Sequence, residues 1–349
     1  MLIAGAAGAL PSHRYDQVVL LNALKAFWGP KLDNPQFMQR LHQRVGVDSR
    51  HLALPMEQYH GIKTWGQANG HWIDVALDLS EEALRRALER AGLAQDALGA
   101  IFFVSVTGIA SPSIDARLIN RMKLPLNLKR VPIFGLGCVA GAAGVARAAD
   151  YVRAFPDEVA AVIAVELCSL TLQHDDLSIA NLISSGLFGD GAAAALVAGA
   201  QVDCHGPRIL ATRSIFYPDT EDVMGWDISE KGFRIVLSRE VPVVVEQHLA
   251  ADVDAFLRAE GLRRADVTSW ILHTGGPRVL EATAEALQLP EGALDASWAC
   301  LRRTGNLSSA SVLLVLEEFL LKRRQPAGSY SLMAAMGPGF CSELLLLQW

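Results

Sequence analysis

The sequence predicts an α/β protein in which helices cover both faces of two mixed sheets. Helix-like and strand-like segments alternate along the whole chain, with no Ser/Pro linker, low-complexity tract or charge block between them. The strand candidates at 159–165 and 192–197 are apolar on both faces, as strands buried between helical layers must be. Of the 349 residues, 51% are hydrophobic and 19% charged, enough to bury a large core and far from a disordered composition.

Residues 79–91 read as a helix: Ser80 suits the N-cap, Glu81 and Glu82 complement the first-turn dipole, and Gly92 follows the last turn. A strand at 100–106, a helix at 114–122, a strand at 131–134 and an Ala-rich helix at about 140–155 come next, before the two apolar strands. In the second half, 240–260 is helical, 269–273 is a short strand ending in a Gly-Gly-Pro turn, and 278–287 is helical again. Asn306 opens a helix that runs to about 323, and 343–348 is the final strand. A loop followed by a helix begins at Cys138 and again at Asn306, about half a chain apart, which points to an internal duplication.

Several function classes are excluded. A net charge of −6 does not suit a generic nucleic-acid binder. The longest uncharged run, 131–146, is shorter than the roughly 20 residues of a spanning helix and contains Pro132 and several glycines, so it reads as a buried strand followed by a helix. No basic region precedes the apolar N-terminal stretch, so no signal peptide is expected. Five cysteines without paired spacing suit a reducing cytoplasm. His42, His51 and His60 read as surface residues, and His174 beside Asp175 and Asp176 as a solvated loop cluster, so no metal site is expected. GLGCVAG does not match the dinucleotide fingerprint, and no phosphate-binding loop or GxSxG elbow is present.

Cys138 lies between a strand and an Ala/Gly-rich helix, so its sulfur sits at a helix N-terminus, where N–H groups and the dipole favour a thiolate. The other reading is a buried structural cysteine. Of nine histidines, His273 is the best placed partner, because it ends a strand and should project at a sheet edge. Asn306 stands at a helix start, either as a plain N-cap or as an amide donor aimed at an oxyanion.

Four segments taken together, GLGCVAGAAGVARAADYV around Cys138, SGLFGDGAAAALV around Phe188, LHTGGPRVL around His273 and GNLSSASVLLVLEE around Asn306, resemble the type III polyketide synthases. These form the chalcone-synthase-like branch of the thiolase superfamily. SVTGIASPSIDARL, MGWDISEKGFRIVLSREVP and the terminal GPGF extend the resemblance over nearly the whole chain. GFRIVLSREVP and GIASPSIDARL resemble bacterial enzymes that make alkylpyrones or alkylresorcinols from fatty-acyl starters.

The resemblance implies a duplicated, thiolase-like αβαβα layered fold with two mixed sheets, divided into 1–205, carrying the nucleophilic cysteine, and 206–349, carrying the histidine and asparagine. Cys138 would accept the starter acyl group from its thioester, paired with an imidazolium. His273 and Asn306 would stabilise the enolate formed as malonyl-CoA loses carbon dioxide. Repeated condensation and cyclisation would then give a pyrone or an aromatic ring, without metal or redox cofactor. Phe188 matches the phenylalanine that gates the junction of the coenzyme A tunnel and the cavity, and Gly225 the glycine that helps set cavity volume. Ile235 replaces a second gating phenylalanine, Ser111 replaces a methionine that reaches into the neighbouring subunit, and Cys168 and Thr171 align with cavity-lining positions. Arg40, Arg44 and Arg278 are the candidates for the coenzyme A phosphates. The family's lysines are missing there, which also suits delivery by an acyl carrier protein. The partners implied are acyl-CoA, malonyl-CoA and a second copy of the chain. The rival readings are a ketoacyl synthase III that condenses once, a Cys-His-Asn thioester hydrolase, and an idle partner subunit.

Overall fold

In the computed structural model, which describes residues 1–32 and 34–349, the first half contains β1 (Leu2–Ala9), β2 (His13–Asp16), α1 (Gln17–Trp28), α2 (Pro35–Gln43), β3 (Ser49–Leu52), α3 (Trp65–Ala91), β4 (Leu98–Val104), α4 (Ile114–Met122), β5 (Lys129–Ile133), α5 (Ala140–Ala154), β6 (Val159–Leu167), α6 (Ile179–Leu187) and β7 (Asp190–Ala198). The second half contains β8 (Arg208–Phe216), β9 (Met224–Ser229), β10 (Gly232–Leu237), α7 (Val241–Ala259), β11 (Val267–Leu272), α8 (Pro277–Leu287), α9 (Asp295–Thr304), α10 (Ser309–Leu321), β12 (Tyr330–Gly337) and β13 (Cys341–Gln348).

The strand order is β11-β12-β13-β8-β1-β7-β6-β4-β5. β4 runs parallel to β6, which is antiparallel to β7, which is antiparallel to β1. Strand for strand, β11, β12, β13 and β8 repeat those senses. The two mixed sheets are thus two wings, and they join edge to edge at one residue pair, Leu2 with Arg208. Helix α3 covers the outer face of the first wing, and α7 and α8 that of the second. Between the wings lie α5 and α10, buried along nearly every turn. The layers are αβαβα.

The apolar runs at 159–165 and 192–197 are fully buried strands, because helices pack on both of their faces. The segment 129–133 departs from expectation. Among the described residues β5 pairs only with β4, so it is a sheet edge, and four of its five residues are exposed. Helix α3 starts well before 79: Thr64 and Gln67 form a capping box, and the Ser80 hydroxyl bonds back to Ala76 O inside the helix instead of capping it. Gly92 ends the helix in the left-handed region, as expected. Among the described residues, no helix is long and apolar enough to cross a membrane.

Candidate active site

Cys138 lies in a single turn, Gly137–Val139, that leads directly into α5. Gly137 has a φ of +52°, and a Cβ there would lie 2.8 Å from Pro338 Cδ, so both backbone and space require glycine. One turn on, a Cβ at Gly141 would lie 2.1 Å from Ser309 O. Its absence lets α5 and α10, the buried helices of the two halves, meet at their N-terminal ends. The Cys138 thiol consequently donates to Ser308 Oγ at 3.5 Å. Ser308 itself has a φ of +45°, a strained conformation for a residue with a Cβ.

Asn306 is not a plain N-cap. Helix α10 begins three residues later, and Asn306 forms a parallel bridge with Phe188: its N–H donates to Leu187 O at 2.9 Å and its C=O accepts from Gly189 N at 3.0 Å. Its Oδ1 accepts from Ser308 N at 2.7 Å, which fixes the side chain and leaves the amide N–H group as the remaining donor. His273 follows directly on β11, anchored by its N–H to Ala334 O at 3.1 Å. Both of its ring nitrogens are buried without a hydrogen-bond partner among the described residues. Such a group is costly unless something else occupies the site.

Cys138, His273 and Asn306 line one cavity of about 580 Å³. Cys138 also lines a second cavity of about 160 Å³, together with Phe188, Gly225, Ile235, Cys168 and Thr171. A Cβ at Gly225 would meet nothing within 4 Å, so this glycine leaves open space in the second cavity. Two predicted residues lie elsewhere. Ser111 is exposed and lines neither cavity of its own chain. Arg40 is exposed on α2, 5.9 Å from the Phe37 ring centroid, and lines neither cavity either, whereas Arg44 and Arg278 line the larger one. A third arginine there, Arg239, was not singled out in the sequence. Its signal was the basic residue just before the α7 start, EVP.

Two histidine expectations are corrected by packing. His42 is buried: it faces Gly186, and its Nε2 lies 3.1 Å from Leu182 O. His174 is half-buried and lines the smaller cavity, whose rim also includes His60, exposed as expected. Among the described residues, no group of three or more His, Cys, Asp or Glu is placed to hold a metal.

Burial pushes the Cys138 thiol up to about 12 and His273 down to about 4; the Ser308 and Asn306 side chains favour the thiolate but are outweighed. In the unliganded site burial thus favours the thiol and the neutral imidazole over the ion pair that the resemblance implies. A neutral imidazole still has the acceptor nitrogen needed to take the thiol proton during attack.

Glu166 on β6 was missed in the sequence, since one acidic residue in an apolar strand has no spacing to betray it. It is fully buried and accepts from Thr107 Oγ1 at 2.9 Å, Val106 N at 3.2 Å and Ser309 Oγ at 2.5 Å, tying the α10 start to β6. Burial raises its pKa to about 7. Because the folded protein then holds a proton that the unfolded chain releases near the ordinary carboxylate pKa, stability falls as pH rises through that window up to about 7. In urea unfolding, wild type should lose about 3 kcal/mol relative to Glu166→Gln between pH 5 and pH 8. Parallel profiles would refute the assignment.

Comparison with known proteins agrees with this geometry. The family model for the N-terminal domain of chalcone and stilbene synthases matches residues 58–201, and that for their C-terminal domain matches 208–349. The chain is 48% identical over 350 residues to 1,3,6,8-tetrahydroxynaphthalene synthase of Streptomyces peucetius subsp. caesius, covering 99% of this chain and 93% of the relative. It is 31% identical to phloroglucinol synthase of Pseudomonas fluorescens, covering 97% and 96%. The crystal structure of 1,3,6,8-tetrahydroxynaphthalene synthase from Streptomyces coelicolor A3(2), a bacterial type III polyketide synthase, superposes with a TM-score of 0.95 at 32% identity, covering 100% of this chain and 99% of that one. The chain therefore belongs to the chalcone and stilbene synthase family and is a type III polyketide synthase, a carbon–carbon bond-forming acyltransferase that needs no cofactor beyond its coenzyme A thioester substrates.

Proposed function

We propose that this enzyme condenses malonyl-CoA iteratively on Cys138 and closes the chain to a polyhydroxylated aromatic ring. The observation that carries the proposal is the position of Cys138, which alone of the three candidate residues lines both cavities. A thioester arrives through the larger cavity, and the chain grows into the smaller one. Cys138 Sγ attacks the thioester carbonyl while a neutral His273 takes its proton; the proton leaves with the coenzyme A thiolate. His273 and the Asn306 amide then donate to the thioester oxygen of an incoming malonyl group. Its carboxylate departs as carbon dioxide, and the enolate attacks the acyl-Cys138 carbonyl, transferring the chain and freeing the cysteine. Arg44, Arg239 and Arg278 around the larger cavity meet the coenzyme A phosphates, which supports delivery as coenzyme A thioesters over a carrier protein.

The two sheet wings support the division into halves at 205/206, and the open β5 edge with Val131 and Phe134 beside it supports a homodimer. Five free thiols support a cytoplasmic setting.

A naphthalene or benzene skeleton with hydroxyls on alternate carbons and no alkyl tail, the product in the relatives' names, divides into two-carbon units, so malonyl-CoA serves here as both starter and extender. The small volume at the growing end favours such a compact product, being below the roughly 300–1,000 Å³ usual for ligand pockets. A long fatty-acyl starter leading to an alkylpyrone or alkylresorcinol is the second reading, favoured by the apolar wall of Leu20, Leu24, Phe27 and Met56 in the same cavity. Mass spectrometry of products formed from malonyl-CoA alone, and with acyl-CoA starters of increasing length, decides between them. An aromatic product from malonyl-CoA alone is expected. Products appearing only with long starters would establish the second reading, and a single β-ketoacyl product or free acid would contradict both.

A further inference from the structure

Arg50, on β3, is 4% exposed and has taken no part in the chemistry described so far. Its charge stays buried without a salt bridge among the described residues. The neighbouring carboxylate, Asp190, is instead engaged by Ser169 N at 2.8 Å and Ala53 N at 2.6 Å. An arginine in that position costs stability unless its hydrogen bonds are well used.

They are spent on the two segments that meet at the candidate site. Nη1 donates to Phe188 O at 2.6 Å. Nε donates to Gln17 Oε1 at 3.0 Å, and Gln17 Nε2 donates in turn to Gly186 O at 2.8 Å, so the pair grips carbonyls on both sides of residue 187. The aliphatic stem lies against the opposite segment: a Cβ on Gly305 would come within 3.1 Å of Arg50 Cδ. Phe188 and Asn306 are the two partners of the parallel bridge. One side chain thus touches both edges of the seam that presents Phe188 to the smaller cavity and Asn306 to the larger.

We propose that Arg50 is a positioning residue: it lines the smaller cavity but not the larger, and by clamping the Phe188–Asn306 seam it holds the Asn306 amide in the larger cavity where the malonyl enolate forms, without reaching that enolate itself. This rests on the role given to Asn306 above. Cys138 stands on the turn before α5 and meets the seam only indirectly, through Ser308, whose Oγ accepts from the thiol and whose N–H donates to Asn306 Oδ1, so a displaced Asn306 amide costs condensation far more than acyl transfer to the cysteine. Two different nitrogens of the guanidinium, Nε and Nη1, serve the two acceptors, and a lysine ammonium, a single point charge, does not reproduce that fixed fork.

The test is Arg50→Lys in the full-length enzyme, with folding checked by thermal unfolding. Loading of Cys138 is measured by intact mass with hexanoyl-CoA, and condensation by product formation with malonyl-CoA. Loading should stay within about twofold of wild type while condensation falls on the order of a hundredfold, the cost of a misplaced catalytic group. Unchanged condensation, or loading and condensation falling together, would overturn the proposal. Should Arg50→Lys not fold, Gln17→Ala, which removes one support of the fork, decides: a loss of about tenfold confined to condensation is expected, and no asymmetry overturns the clamp. If wild type loads Cys138 from neither hexanoyl-CoA nor malonyl-CoA, it is the proposed function that fails, a distinguishable outcome.

Discussion

Cys138→Ala forms no polyketide from malonyl-CoA, at any starter, while its fold and thermal stability stay near wild type. The methyl group replaces a buried sulfur whose hydrogen bond to Ser308 Oγ is a long contact of 3.5 Å, so little packing is lost. The chemistry has no substitute. Cys168 also lines the smaller cavity, but its thiol is pushed well above the ordinary cysteine range by burial, and it does not line the cavity that holds His273 and Asn306. Product masses from wild type that persist in the variant would remove Cys138 from the mechanism.

Asn306→Asp is expected to lose condensation by about 10²–10³-fold while still accepting an acyl group on Cys138. This substitution separates two jobs that alanine would confuse. A carboxylate keeps the Oδ1 acceptor for Ser308 N, and with it the local turn, but replaces the amide donor by an oxygen that repels the developing enolate. Rates of malonyl-CoA consumption and of acyl-enzyme formation, measured separately, check the split. Equal losses in both would mean that Asn306 serves only to shape the α10 start.

The residues proposed to carry the chemistry are legible because their local sequence is constrained twice. Cys138 and Asn306 each sit where a helix from one half meets its counterpart, and the glycines that permit the approach stand beside them, so GLGCVAG and GNLSSAS mark the site without any structure. The apolar strands β6 and β7 were readable for the same reason, since burial on both faces leaves no alternative composition. Contacts between distant segments were not. Arg50, Glu166 and His42 look like ordinary polar residues in sequence, and only the packing of β3, β6 and α2 against other elements buries them. The ionisation of the site was also hidden. A helix N-terminus argues for a thiolate, but the desolvation that reverses it comes from the two-sided packing of α5. The join of the two wings through Leu2 and Arg208 depends on a single residue pair, which no periodicity encodes.

The most direct test of the central claim is peptide mapping of the wild-type enzyme quenched during turnover with malonyl-CoA. A ladder of acyl adducts on the peptide containing Cys138, separated by the mass of one two-carbon ketide unit, is expected. Adducts on another cysteine, or product formation with Cys138 never acylated, would contradict it.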